Sequence, residues 1–338
     1  MANSRSFDTL RMTADRMRVG VIGTFVWDVI HGRHAHSALV EEWGGITYAL
    51  AGLDAALPDG WEIVPVMKVG DDLATKANQF IRTLKHIAPD ASLIAVPYAN
   101  NRVELRYVSD ERRTETLSGG VPGWSWIGLK PVLDTAHLDA LYINFLSGWE
   151  LDLDTTLMLR SYFKGPIYCD FHMKVTTVAP SGLRVLEPIP NVSEWCSCFD
   201  FLQVNEDEMA MMAPDSLALA ATAIARGVRT LAVTMGSRGA VYFAAPGFDS
   251  IGDLGRERPF GTELGAVKTA LVPSELSPNP GDPTGCGDVW GATYFSRLLA
   301  GDNLLSAISA AHRAAGRNLH HRGATGLAPH LRGELSLT

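Results

Sequence analysis

Short β-rich apolar runs alternate with helical patterns along most of this chain, and few architectures accommodate that order. Arg18–Gly23, Trp61–Met67, Leu93–Val96, Ala140–Asn144, Pro166–Asp170, Phe199–Asn205 and Thr230–Thr234 read as strands. Helical patterns fill intervals at Ile46–Leu57, Asp71–His86, Asp152–Phe163, Glu206–Ala213 and Leu217–Arg226. Two longer helices close the chain at Gly285–Leu299 and Leu304–His321. This order predicts βαβ units, with a mostly parallel sheet covered by helices on both faces. A chain of 338 residues buries enough surface to need no disulfide or metal staple.

Composition narrows the function classes. Hydrophobic residues at 46% and charged residues at 20% exclude disorder, collagen and coiled coil. With 29 Lys and Arg against 37 Asp and Glu, the net charge of −8 opposes a broad nucleic-acid surface. A local basic pocket stays compatible with it. Cys169, Cys196, Cys198 and Cys286 form no CxxC pair and read as ordinary thiols of a reducing compartment. The longest helix-like apolar stretch, Leu217–Ala225, is about half a membrane span. Residues 1–17 mix Arg with Asp and lack an apolar core, so they read as a tail rather than a signal peptide. The expectation is a cytoplasmic protein without a membrane partner.

Two stretches interrupt the alternation. Residues 31–43 are polar and follow the first strand directly. Residues 101–118 have period two, with Arg102, Glu104 and Arg106 on one face and Val103, Leu105 and Tyr107 on the other. A polar-faced hairpin inserted into an α/β core reads as a lid, or as an edge hairpin with solvated charges. Histidines at 31, 34, 36, 320 and 321 lack partnered carboxylates or cysteines at ligand spacing, so a metal site is not expected there.

The densest chemical signal is Gly281–Ala292, GDPTGCGDVWGA. A Gly-rich polar segment runs straight into an amphipathic helix, which places the backbone N–H groups of Gly285, Cys286 and Gly287 at its N-terminus. Unpaired N–H groups and the helix dipole together hold anions. Asp288, in the first turn, can take a proton from a hydroxyl while those N–H groups stabilise a migrating phosphoryl group. The plainer reading is a Gly-rich turn with Asp as an ordinary first-turn stabiliser. The chain contains no GxxxxGK[ST] P-loop and no GxGxxG after its first strand.

GDPTGCGD resembles the D-T-x-G-x-G-D signature of the ribokinase (PfkB) sugar-kinase family, and other segments match in order. Gly44-Gly45 resembles its N-terminal di-glycine, VNEDE (Val204–Glu208) its N-x-x-E motif, and TMGSRGA (Thr234–Ala240) its nucleotide loop. VGDD (Val69–Asp72) is a weaker fifth match. The resemblance covers roughly residues 18 to 327 and implies a three-layer α/β/α fold with a β lid split between residues 31–48 and 98–118. It implies an ATP-dependent phosphotransferase acting on a hydroxyl of a small sugar-like acceptor. By this resemblance Asp288 is the catalytic base, and Gly285, Cys286 and Gly287 form the anion hole. Asn205 and Glu208 organise Mg²⁺, mainly through water. Thr234, Gly236, Gly239 and His312 meet the nucleotide, with Asn205 beside its phosphates. Asp28, Gly44 and Gly45 face the acceptor. Arg102 and Arg106, on the lid, read from their own chemistry either as partners for a phosphate on the acceptor or as part of a solvated face. The resemblance also allows a monovalent-cation requirement, and a β lid offers an edge for a homodimer.

One departure concerns the acceptor. Where the family pattern G-G-x-x-x-N carries Asn, this chain has Ala49. Trp27, Trp43 and Tyr48 crowd that region, either to stack on a substrate or to pack. The missing hydroxyl partner motivates a second reading, a non-catalytic nucleotide- or sugar-binding regulator on the same fold. A nicotinamide-dependent oxidoreductase lacks its fingerprint.

Overall fold

The computed structural model describes residues 16–31, 39–107, 113–255, 265–274 and 281–334. The path begins with β1 (Met17–Ile22), continues through β2 (Phe25–His31) and β3 (Val40–Gly45), and turns into α1 (Ile46–Ala56). Next come β4 (Trp61–Pro65), β5 (Lys68–Gly70), α2 (Ala74–Ile81), β6 (Ile94–Val96), β7 (Asn101–Tyr107) and β8 (Arg113–Ser118). The central part holds α3 (Trp126–Ala136), β9 (Ala140–Asn144), α4 (Leu153–Tyr162), β10 (Ile167–Asp170), β11 (Thr176–Val178), β12 (Arg184–Leu186) and α5 (Val192–Cys196). The last part holds β13 (Phe201–Asn205), α6 (Glu206–Met212), α7 (Ser216–Ala225), β14 (Thr230–Thr234), β15 (Ala240–Ala244) and β16 (Lys268–Val272). Helices α8 (Cys286–Leu299), α9 (Leu304–Asn318) and α10 (Leu327–Arg332) complete it.

The expected α/β architecture is present. An eight-stranded sheet runs β16-β15-β14-β13-β10-β9-β1-β4. Its strands from β14 to β4 are parallel, and β15 and β16 add an antiparallel edge that the sequence reading did not contain. The strands β9, β10 and β13 carry near-continuous apolar runs because both faces are covered. Helices α1, α8, α9 and α10 form one group of contacts and α3, α4, α5 and α7 another. In a parallel sheet with a covered core, ligands bind outside the carboxyl ends of the strands. Asn144, Asp170, Asn205 and Thr234 are the last residues of β9, β10, β13 and β14.

A four-stranded sheet, β3-β2-β7-β8, forms the lid. It starts at Phe25, earlier than the expected 31, because β2 leaves the core only two residues after β1 ends. Met17 already pairs with Trp61 in β1, so the expected tail is shorter; residues 1–15, and His34 and His36, lie outside the described residues. The helix expected over Asp71–His86 contracts to α2, and β6 pairs with β5 rather than joining the main sheet. The β11–β12 hairpin, also absent from the sequence reading, reaches the lid. Leu117 N–H donates to the Gly182 carbonyl at 2.8 Å, and Thr116 bridges to Leu183. Among the described residues no helix is long and apolar enough to cross a membrane.

Candidate active site

Helix α8 begins where two close approaches fix it. A Cβ on Gly291 would lie 2.1 Å from the Tyr168 hydroxyl, and one on Gly52 of α1 would lie 2.9 Å from Ala292 Cβ. Glycine at these positions lets α8 press onto the sheet and α1 press onto α8. The loop before α8 is tied to the end of α9. Asp282 N–H donates to the Leu319 carbonyl at 3.0 Å, and Asn318 Nδ2 donates to the Thr284 carbonyl at 2.8 Å. Asp282 Oδ1 accepts from the Thr284 N–H and hydroxyl at 3.0 and 2.7 Å, which closes the turn. Gly285 caps the helix in the left-handed region at φ 76°.

At this terminus the N–H groups of Gly285, Gly287 and Asp288 have no backbone acceptor among the described residues. Cys286 differs from expectation, because its N–H donates to the Pro283 carbonyl at 3.1 Å inside the turn. Its thiol points at α9, where Asn318 Nδ2 lies 3.3 Å away, and burial pushes it up to about 11. Cys286 is therefore a packing residue, and the open N–H groups come from its neighbours.

Asp288 is held by a residue the sequence reading missed. Asn144 Nδ2, at the end of β9, donates to Asp288 Oδ1 at 2.7 Å. Burial raises the Asp288 carboxyl above its ordinary value; His172 and the Asn144 hydrogen bond work against that rise, and the Glu208 charge adds to it. The next strand end brings Asp170, whose carboxyl is raised well above its ordinary value by burial and then by the Glu208 charge. Gln203 joins the two, donating from Nε2 to Asp170 Oδ2 and to the Gly287 carbonyl, both at 3.2 Å. Its own carbonyl accepts from Tyr168. The signal for these residues was their position: a polar side chain within or closing an otherwise apolar strand.

Asn205 and Glu208 form a reciprocal capping box at the start of α6. Glu208 N–H donates to Asn205 Oδ1 at 2.9 Å, and Asn205 N–H donates to Glu208 Oε2 at 2.8 Å. Asn205 Nδ2 adds a bond to Glu208 Oε1 at 2.6 Å. His172 Nδ1 approaches the same oxygen at 3.1 Å. Burial alone would lower the His172 imidazole, but Glu208, Asp170 and Asp288 outweigh it and push it up to about 9. An imidazolium thus sits among carboxylates.

These groups open into one cleft of 340 Å³. Its floor is the start of α8 with Asp170, Asn205 and Glu208; its roof is the lid face bearing Val26, Asp28, Val103 and Leu105. Asp28, Gly45, Thr234, Gly236, Gly285, Cys286, Gly287 and Asp288 all line it. A larger surface cavity of 660 Å³, against α8 and α9, shares no residue with it, so size does not locate the chemistry.

Four expected residues lie elsewhere. Gly44 sits behind Asp28, where a Cβ would come 1.9 Å from Asp28 Oδ2. Arg102 is on the outer face of the lid, donating to Asp72 Oδ2 at 3.0 Å, and Arg106 on the same face donates to Glu104. The charged face of the hairpin is the solvated one. Gly239, at φ 101°, lets the β14–β15 turn pass the end of β16, where a Cβ would lie 2.1 Å from the Val272 carbonyl. His312 accepts from Trp290 Nε1 at 3.1 Å through Nδ1 and donates from Nε2 to the Val272 carbonyl at 3.0 Å. Both ring nitrogens thereby tie α8, α9 and β16 together. Trp27 and Trp43 stack edge-on at 4.9 Å and are buried, so of the three aromatics only Tyr48 reaches the cleft.

A sequence model described as pfkB family carbohydrate kinase matches residues 160–331. The chain belongs to this family. The matched segment of this PfkB protein contains Asp170, Asn205, Thr234 and the whole of α8, while the lid lies outside it. No curated protein sequence matches the chain. Among solved structures, a ribokinase from Thermotoga maritima is 16% identical, with 94% of this chain and 98% of that one covered at a TM-score of 0.65. A nucleoside kinase from Burkholderia thailandensis, solved with inosine, is 14% identical over 94% and 95% of the two chains at 0.67. A ribokinase from Arabidopsis thaliana, solved with ribose and ATP, is 14% identical over 94% and 99% at 0.65. At these identities the likeness establishes a ribokinase fold with a lid.

Proposed function

We propose that this PfkB protein transfers the γ-phosphoryl group of ATP to a hydroxyl of a small sugar-like or nucleoside-like acceptor. One observation carries the reading. Asp288 stands at the head of α8 beside the open N–H groups of Gly285 and Gly287, in the same cleft as the lid carboxylate Asp28. A base, an anion hole and an acceptor contact therefore converge, which the plain-turn reading of this segment does not require.

The steps follow from these placements. Asp28 accepts hydrogen bonds from acceptor hydroxyls and presents one of them to Asp288. The Asp288 carboxylate takes that hydroxyl proton as the oxygen attacks phosphorus, and the bond to the departing ADP oxygen breaks. Asn144 holds Asp288 in place without competing for the proton, since an amide N–H only donates. N–H groups at the start of α8 stabilise charge on the migrating group. Thr234 and Gly236 flank the nucleotide, and Gly236, at φ 56° with open space around it, leaves backbone exposed to it. The lid closes over the reacting atoms and excludes water.

A magnesium ion is implied by the family, and the donor set fits it only through water. Both oxygens of Glu208 and the Asn205 amide are engaged in the capping box, while the surrounding carboxylates outnumber the one imidazolium. Asn205 and Glu208 would hold a hydrated Mg²⁺ whose charge offsets that of the nucleotide phosphates.

The direct test is ADP release by the purified protein with Mg-ATP against sugars, polyols and nucleosides. Turnover with at least one acceptor is expected; ATP binding with no product from any would favour the regulator instead. Two further outcomes are expected. Gly44→Ala pushes on the Asp28 carboxylate, so the acceptor KM rises about 10²-fold while the ATP KM holds. Because Asp288 must be ionised to accept a proton and its carboxyl is raised, kcat/KM falls with decreasing pH at a higher pH than an ordinary carboxylate gives. The midpoint reports Asp288 together with His172, the charged neighbour that acts on it most. A pH–rate profile flat through the carboxylate range would remove Asp288 as the base.

A further inference from the structure

The side of the cleft nearest the lid's outer strand is built by the hairpin that sequence reading missed. Arg184 of β12 donates from Nη1 to Glu115 Oε2 on β8 at 3.2 Å, and from Nη2 to the Leu146 carbonyl at 2.6 Å. Its side chain is 7% exposed, and its Nε is buried without a partner. Arg184, Glu115 and Leu146 line the same cleft as Asp28 and Asp288. Ala49, by contrast, is fully buried within α1 and brings no polar group to the cleft.

We infer that the Arg184–Glu115 pair is the specificity element for the acceptor group that faces the lid, and that it selects a neutral, hydroxyl-bearing acceptor over one carrying its own phosphate or carboxylate. This rests on the kinase reading above. Among the described residues that line the cleft, the cationic side chains are Arg184 and His172, and each already lies on a carboxylate. Asp28 and Asp288 add further acidic groups. An anionic acceptor meets a guanidinium whose charge Glu115 has cancelled, inside a wall of like sign. A hydroxyl of the acceptor can accept from Arg184, whose Nε is left without a partner. A buried donor left unmet is costly, so an acceptor that satisfies it is favoured over one that does not. The apolar roof of Val26, Val103 and Leu105 suits the C–H face of a ring or polyol.

The experiment pairs neutral acceptors with their phosphorylated forms: ribose with ribose 5-phosphate, fructose with fructose 6-phosphate, inosine with inosine 5′-monophosphate. Wild-type kcat/KM should favour the neutral partner by at least about tenfold. In Glu115→Gln the Arg184 charge is uncompensated. The preference should then narrow about tenfold or reverse, and inorganic phosphate should inhibit more strongly, with the ATP KM unchanged. Arg184→Gln should raise the KM of the neutral acceptor more than it lowers kcat; a melting curve reports whether that variant folds, and Glu115→Gln stands independently of it. Equal or better turnover of the phosphorylated partner by wild type overturns the inference and leaves the kinase reading intact. So does an unchanged preference in Glu115→Gln. Absence of ADP from every acceptor overturns the kinase reading, and this inference with it.

Discussion

Asp288→Asn is expected to lower kcat by about 10²–10⁴-fold, the range that a positioned general base contributes. Nucleotide affinity should stay within a few-fold of wild type. The substitution is nearly isosteric, and an Asn oxygen can still accept from Asn144 Nδ2, which bonds Asp288 at 2.7 Å. The helix start and its open N–H groups therefore persist, and only proton acceptance is lost. Calorimetric titration with ATP and a coupled ADP assay separate the two quantities. If turnover survives at the wild-type rate, the hydroxyl proton leaves by another route. If ATP no longer binds, Asp288 serves the architecture of the site rather than its chemistry.

Gly285→Ala should damage both stability and turnover. Gly285 occupies φ 76°, where a residue with a side chain costs about 1–2 kcal/mol. The added Cβ also lies 2.1 Å from Cδ1 of Tyr48, a ring only 2% exposed. Either Tyr48 or the loop must shift, and the loop carries the open N–H groups at the head of α8. The expected result is a Tm lower by at least about 3 °C and a kcat lower by about 10²-fold. Gly301→Ala is the control. Gly301 also has positive φ, 93°, but nothing stands within 4 Å of its added Cβ. That variant should lose stability from backbone strain alone and retain full activity. Equal kcat in both variants would detach the α8 terminus from catalysis.

Much of the molecule was legible in the sequence because its largest signals are local. Buried parallel strands are short apolar runs, and the start of α8 announces itself through clustered glycines before a helix. What escaped has three physical sources. Asn144 and Asp288 are 144 residues apart, and nothing local in ALYIN marks which strand end will meet which helix. Period-two alternation in β7 separates two faces without saying which one the core covers. The apolar face, Val103 and Leu105, roofs the cleft, while Arg102 turns outward to Asp72. The β11 and β12 strands are three residues each with half-exposed side chains, too short for any periodicity to show. Gly239 and Cys286 are instructive in another way. Each sits at its motif position, yet one is glycine because of the Val272 carbonyl, and the other closes its own turn through the Pro283 carbonyl.

The bond between the Leu117 amide and the Gly182 carbonyl has a mechanical consequence. The lid springs from the core at the end of β1 and is moored again, through its far strand, to a hairpin that follows directly from β10. The second mooring is also chain-linked, through residues 171–175, to His172 and the carboxylates around it. One stretch of backbone, residues 171–178, therefore serves both the support of the lid's far strand and the imidazole that meets Glu208.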